Sequence, residues 1–171
     1  MRHLLIFISL VAAVAVFPGI ERFANQNPKI DRFPETTVRL NYKVSQLRAL
    51  AASDEIAQRY VRPLLFPLDL FALIFLGIAM AVASWFWAQS AGVLTQATWI
   101  VLVMPIGYMI ADLAEDSLLA FLLTDRDAIG DGTVWALKGL TAVKFVCLGA
   151  AGVQTAGLGA TAAYKAVAAS M

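Results

Sequence analysis

Histidine, cysteine and charge are all scarce in this 171-residue chain, and each scarcity removes a class of chemistry. The one cysteine, Cys147, has no partner for an internal disulfide. It lies in an apolar run one turn from Lys144, where a small packing residue is the expected reading and a reactive thiol the alternative. The one histidine, His3, stands next to the amino terminus, so no apolar run holds an imidazole that could act as a base or a haem ligand. There is no G-x-S-x-G, H-E-x-x-H, Walker loop or Cys-x-x-Cys. Ser117 follows a group of acids but has no histidine to activate it. No catalytic residue and no cofactor are therefore assigned, and any chemistry would rest on carboxylates and lysine alone. A metal is not expected either, because carboxylates suit Mg or Ca but no calcium-loop signature accompanies them.

Charged residues make up 15% of the chain, against about 25% in an average soluble domain. The formal net charge is +1. The basic residues are not interleaved with aromatics, so nucleic acid is excluded as a partner. What fills the chain is apolar: 60% of residues are hydrophobic and the mean hydropathy is +0.74. A soluble core of this size could not bury so much, and the lipid bilayer is the expected surroundings.

A hydrocarbon core of about 30 Å needs about 20 apolar residues at 1.5 Å each. Four runs qualify, at about residues 4–20, 64–88, 99–123 and 134–160. The first has an A-x-A pattern at Ala13 to Ala15 that a signal peptidase could cut, but we expect it to be retained as a helix. The second tolerates Pro67 in its first turn and carries Trp85 and Trp87 where an interfacial aromatic belt belongs. An uncharged link follows. The third contains Pro105 and Gly107, which predict a kink. The fourth continues to Tyr164, longer than a bilayer requires, and must tilt, break or emerge. Within it Gly152, Ala156 and Ala160 recur every four residues and predict a helix-packing seam.

The expected fold is therefore all-α, a single integral membrane domain over residues 1–171 built as a four-helix transmembrane bundle. One long extramembrane loop, residues 21–63, is partly helical. Asn25, Asn27, Pro28 and Pro34 make its beginning irregular, whereas Val44, Leu47, Ala51 and Tyr60 fall on a helical pattern up to Val61. That helix would lie on the bilayer or cap the bundle.

Ionisable residues inside the runs are the candidate site. Each costs about 2.5 to 3.5 kcal/mol at the centre of a membrane helix, so such residues face a partner or a watery cavity. With four spans, the long loop and the loop before the fourth run share one side. Counting from that side gives depths of about 9 Å for Asp69, 14 Å for Glu115, 18 Å for Asp112 and 15 Å for Lys144. Asp112, Glu115 and Asp116 project from one side of the third helix, and Lys144 is their natural counter-ion. With up to four acids against one deep lysine, shared or bound protons are expected in the cluster. Two readings stay open: a structural pair that fixes helix register, or a proton or cation site.

P-L-D-L at residues 67–70, then A-D-L-A-E-D at 111–116 and a lysine in the last run, resemble a family of uncharacterised bacterial four-span membrane proteins. The third helix of that family reads A-D-x-x-E-N, and Asp116 stands here in place of the asparagine. The resemblance covers about residues 59–149. It implies a polytopic membrane protein of the bacterial inner membrane and supplies no activity.

Of the thirteen Lys and Arg, Lys144 is inside a run and Arg2 and Lys165 lie on the side of the termini, which leaves ten on the side of the long loop. The positive-inside rule puts that side in the cytoplasm, although a short basic head before the first run argues the other way. With no reaction motif and a small-residue seam, the expected role is an accessory, assembly or scaffold subunit. Its partner would be another membrane protein or a further copy of the chain. The alternative is a small proton- or cation-coupled transporter using Asp112 and Glu115.

Overall fold

The computed structural model describes Val11 and residues 43–92 and 98–170, and every regular element among them is helical. In chain order these are α1 (Val44–Ala51), α2 (Asp54–Arg59), a kinked helical segment (Tyr60–Asp69) and α3 (Leu70–Ala91). A 3-10 turn (Thr98–Leu102) leads into α4 (Val103–Thr124), and a second (Arg126–Ala128) into α5 (Asp131–Ala168). The first expected span, residues 4–20, lies outside the described residues apart from Val11, as does the loop up to residue 42.

Among the described residues, two stretches, Phe66–Ala91 and Asp131–Ala168, are long and apolar enough to cross a membrane. The first has Pro67 in its opening turn, as expected. It begins two residues later than the apolar run because Arg62 and Phe66, each followed by proline, are held in extended conformations (φ −130° and −128°). Helix α4 matches α3 in length at 22 residues, but no membrane-length stretch of it avoids Asp112, Glu115 and Asp116. Pro105 falls in the first turn of α4, where the missing N–H would have had no partner inside the helix. The kink expected there is replaced by a change from 3-10 to α geometry just before it. Helix α5 does not break. At 38 residues it is about 57 Å long, so its ends extend past a bilayer's hydrocarbon thickness.

The three long helices pack up, down, up, and their pairings fix the register. Against α5, α4 runs antiparallel: Gln154 donates to the Val101 carbonyl (2.6 Å), Gly107 faces Cys147, and Thr141 reaches Glu115. Between α3 and α5, which are parallel, Ser84 and Thr155 share a hydrogen bond of 2.7 Å. Lys165 donates to the Ala91 carbonyl at the end of α3. Gly92 closes that end in the left-handed conformation (φ 59°), which glycine adopts without a Cβ penalty.

Three glycines among the described residues make room for a side chain of a neighbouring helix. A methyl group at Gly77 would overlap Met109, one at Gly107 would lie 3.1 Å from Cys147 Sγ, and one at Gly159 would lie 3.1 Å from the Trp87 ring. Cys147 thus serves as a small packing residue against α4.

One apolar cluster, with Leu73, Met80, Tyr108 and Ala151, binds α3, α4 and α5. A second joins Leu47, Leu50, Ala51 and Ala57 to Leu119, Leu122, Leu123, Ile129, Val134 and Leu137. Of the two placements expected for the amphipathic segment, it takes the cap: α1 and α2 close the end of the bundle where α4 meets α5. The helix expected over residues 44–61 is interrupted after Ala51. Ser53 accepts the first bond of a new helix from the Ala57 N–H (2.9 Å), and Asp54 and Glu55 supply the acidic first turn that a helix N-terminus favours. Arg48 donates to the Ile129 carbonyl (2.8 Å), and exposed Arg126 pairs with Asp54, so the cap is tied to the α4–α5 loop by polar contacts as well.

Candidate functional site

Asp112, Glu115 and Asp116 occupy the buried face of α4 because positions three and four apart return to the same side of a helix. Their exposures are 2%, 0% and 1%. On α5 the matching positions are Thr141 and Lys144, also one turn apart and both buried. The antiparallel register places these two sets at one level. Lys144 Nζ forms an ion pair with Asp112 and lies 3.1 Å from Glu115 Oε2. Thr141 donates to Glu115 Oε1 (2.7 Å), and its hydroxyl also lies 3.0 Å from the Leu137 carbonyl of its own helix. An ammonium has three donors, so Lys144 can bridge two carboxylates from successive turns and thereby fix both the rotation and the axial position of α5 against α4.

Asp69 enters from the end of the kinked segment, at the N-cap of α3. Its carboxylate and those of Asp112 and Asp116 place one oxygen each within 4.8 Å of one another. Asp69 lies in the first turn of the membrane-length stretch Phe66–Ala91, where the positive end of the helix dipole favours a carboxylate. The three together could hold a hard cation, since an all-oxygen, all-carboxylate donor set suits Mg, Ca or Mn and disfavours softer metals. Asp112 is shared between this triad and the Lys144 bridge, so any cation there would sit beside an ammonium that already neutralises one of its ligands.

All five residues expected in the polar cluster, Asp69, Asp112, Glu115, Asp116 and Lys144, are thus brought into one connected group. Two members escape the sequence reading: Thr141, and Tyr108, whose hydroxyl is hydrogen-bonded to Asp112. Both had a spacing signal, with Thr141 three residues before Lys144 and Tyr108 four before Asp112.

The small-residue stripe behaves differently. Gly152, Ala156 and Ala160 are exposed, and a methyl group at Gly152 would meet nothing within 4 Å among the described residues. Ala156 and Ala160 border an open groove of about 560 Å³ beside Phe86 and Trp87. The stripe therefore forms no seam between α5 and the other described helices, and that seam is made one residue away in register, at Gly159.

Compared with known proteins, the chain matches no family model, no curated protein and no solved structure.

Proposed function

We propose that this protein is a four-span integral membrane protein of a bacterial inner membrane that acts as an accessory, assembly or scaffold subunit for another membrane protein. In this reading residues 4–20 supply the first span and α4 crosses the bilayer with its acids turned inward. The observation that carries the reading is the exposed face of α5 at Gly152, Ala156 and Ala160. Only 22% of the 18-residue apolar centre of α5 is buried. Lipid covers large apolar side chains as well as a protein does, so exposed Val146 and Val153 are explained by the bilayer alone. A file of Gly and Ala gains nothing from lipid. It favours another helix, because a bare backbone lets two helices approach closely enough for dispersion and Cα–H contacts to accumulate. The sealed cluster of Lys144, Asp112, Glu115 and Thr141 fits the same role, since it holds α5 at one rotation and so presents that face to a partner.

The test is a photo-crosslinking side chain placed at Ala156 in native membranes. A discrete protein adduct, lost when Gly152 is replaced by leucine, supports the scaffold role, whereas adducts to lipid alone would overturn it. Convergence of Asp69, Asp112 and Asp116 on one point favours the second reading, a proton- or cation-coupled transporter. That reading requires flux in reconstituted vesicles that Asp112→Asn and Glu115→Gln abolish. A scaffold shows no flux in either form.

A further inference from the structure

A cleft of about 600 Å³ opens between the cap helix α1 and the first two turns of α5. The cap contributes Lys43, Ser45 and Arg48, and α5 contributes Asp131, Trp135 and Lys138 from positions that share one helical face. Three cations against one carboxylate leave a formal excess of two positive charges. Arg48 is anchored by its bond to the Ile129 carbonyl, which orients the guanidinium without neutralising it, and further N–H donors remain on the group. Asp131 is in the first turn of α5, where a carboxylate complements the helix dipole.

The position of the cleft decides what kind of anion it suits. It lies where the membrane-length stretch of α5 meets the extramembrane cap. Trp135 is 73% exposed there, and an indole placed so belongs at the level of lipid headgroups. The Lys138 ammonium stands 5.6 Å from the centroid of that ring, so cation and indole lie together at the wall of the cleft. Basic pockets between helices at this level recognise anionic headgroups.

We propose that this cleft binds the phosphate of an anionic phospholipid, with Lys43, Arg48 and Lys138 as its cations and Trp135 against the upper acyl chain. The proposal rests on α5 spanning the membrane and not on the scaffold role. The net positive charge selects a lipid of net negative charge over a zwitterionic one, whose own cation would meet three like charges.

The test uses the full chain reconstituted in phosphatidylcholine vesicles with and without phosphatidylglycerol, followed by native mass spectrometry of the released protein. The wild type is expected to retain phosphatidylglycerol in preference to phosphatidylcholine. Lys43→Gln and Lys138→Gln should each lower that retention about fivefold, and the pair about 25-fold. Arg48 is left in place because it also ties the cap to Ile129. Ser45→Glu is an independent variant: it adds an opposing charge to the cleft at a solvent-exposed position in the first turn of α1, where an acid suits the helix, and should likewise abolish the preference. Equal retention of both lipids, or retention unchanged in Ser45→Glu and in the lysine pair, would overturn the proposal. Displacement of phosphatidylglycerol by inorganic phosphate alone would overturn its lipid form and identify a free anion as the ligand. Release of the protein from membranes by alkaline carbonate would instead remove the spanning helix on which the proposal rests, an outcome separate from any change in lipid preference.

Discussion

Lys144 on α5 and Asp112 on α4 form an ion pair whose side chains are 10% and 2% exposed, and the same ammonium reaches Glu115 one turn further along α4. Desolvation makes such a group costly to assemble but more costly to leave half assembled. Lys144→Met should therefore destabilise the folded protein by about 3 kcal/mol, measured by equilibrium unfolding in detergent micelles. Adding Asp112→Asn to Lys144→Met should recover part of that loss, because Asp112 is one of the two carboxylates left behind without the ammonium. A single variant as stable as the wild type would mean that the cluster contributes nothing to holding α4 and α5.

Thr141→Val keeps the shape of the side chain and removes its hydrogen bond to Glu115. Interhelical hydrogen bonds in membranes average about 0.6 kcal/mol and reach about 1.7. The expected loss is about 1 kcal/mol in the same unfolding measurement, smaller than that of Lys144→Met by a clear margin. Coupling between Thr141→Val and Glu115→Ala in a double-mutant cycle should be of similar size, since each removes one partner of the same contact.

The meeting of Asp112, Glu115 and Lys144 is legible in the sequence because helical rise is constant, so counting residues from a shared loop gives depth without knowledge of packing. Rotation about the axis is not obtained that way. Gly152, Ala156 and Ala160 form a regular stripe, yet the contact with α3 is made at Gly159, where the Trp87 ring packs on the bare backbone. Thr141 is silent for a different reason. A threonine hydroxyl in an apolar helix can bond to its own backbone, as Thr155 does to Ala151 (2.6 Å), and so carries no mark of a distant partner. Tyr108 in an apolar run reads first as an aromatic packing residue. The break between α1 and α2 is hidden as well, since the apolar positions before it are in phase with a continuous helix. Ser53 followed by two acids is the local signal for a fresh start.

Gly159 and Gly152 lie on the same helix and predict opposite outcomes. A side chain at Gly159 collides with the Trp87 ring, and overpacking of this kind costs about 1 to 3 kcal/mol. Gly159→Leu should fall in that range, by loss of thermal stability in detergent. Gly152→Leu points into open space and should leave the stability of the isolated chain within about 0.5 kcal/mol of wild type. If both variants were equally destabilised, the rotation of α5 described above would be wrong.

Leu47 is fully buried in the cap, among the side chains of the second apolar cluster. Because α1 carries charged residues and lies beyond the membrane-length stretches, its docking is driven by removal of apolar surface from water, a force that does not operate between helices inside lipid. Leu47→Ala removes that surface and leaves a void, at a cost of about 2 to 5 kcal/mol. The expected consequence is local: α1 and α2 should open while α3, α4 and α5 stay folded, since Lys144, Gly77 and Gly159 hold those helices independently of the cap. Hydrogen exchange resolved by segment would register this as lost protection over residues 44–59 and unchanged protection over 104–123 and 135–165. Loss of protection throughout would show instead that cap and bundle fold as one unit, with Arg48 and Ile129 as a necessary link between them.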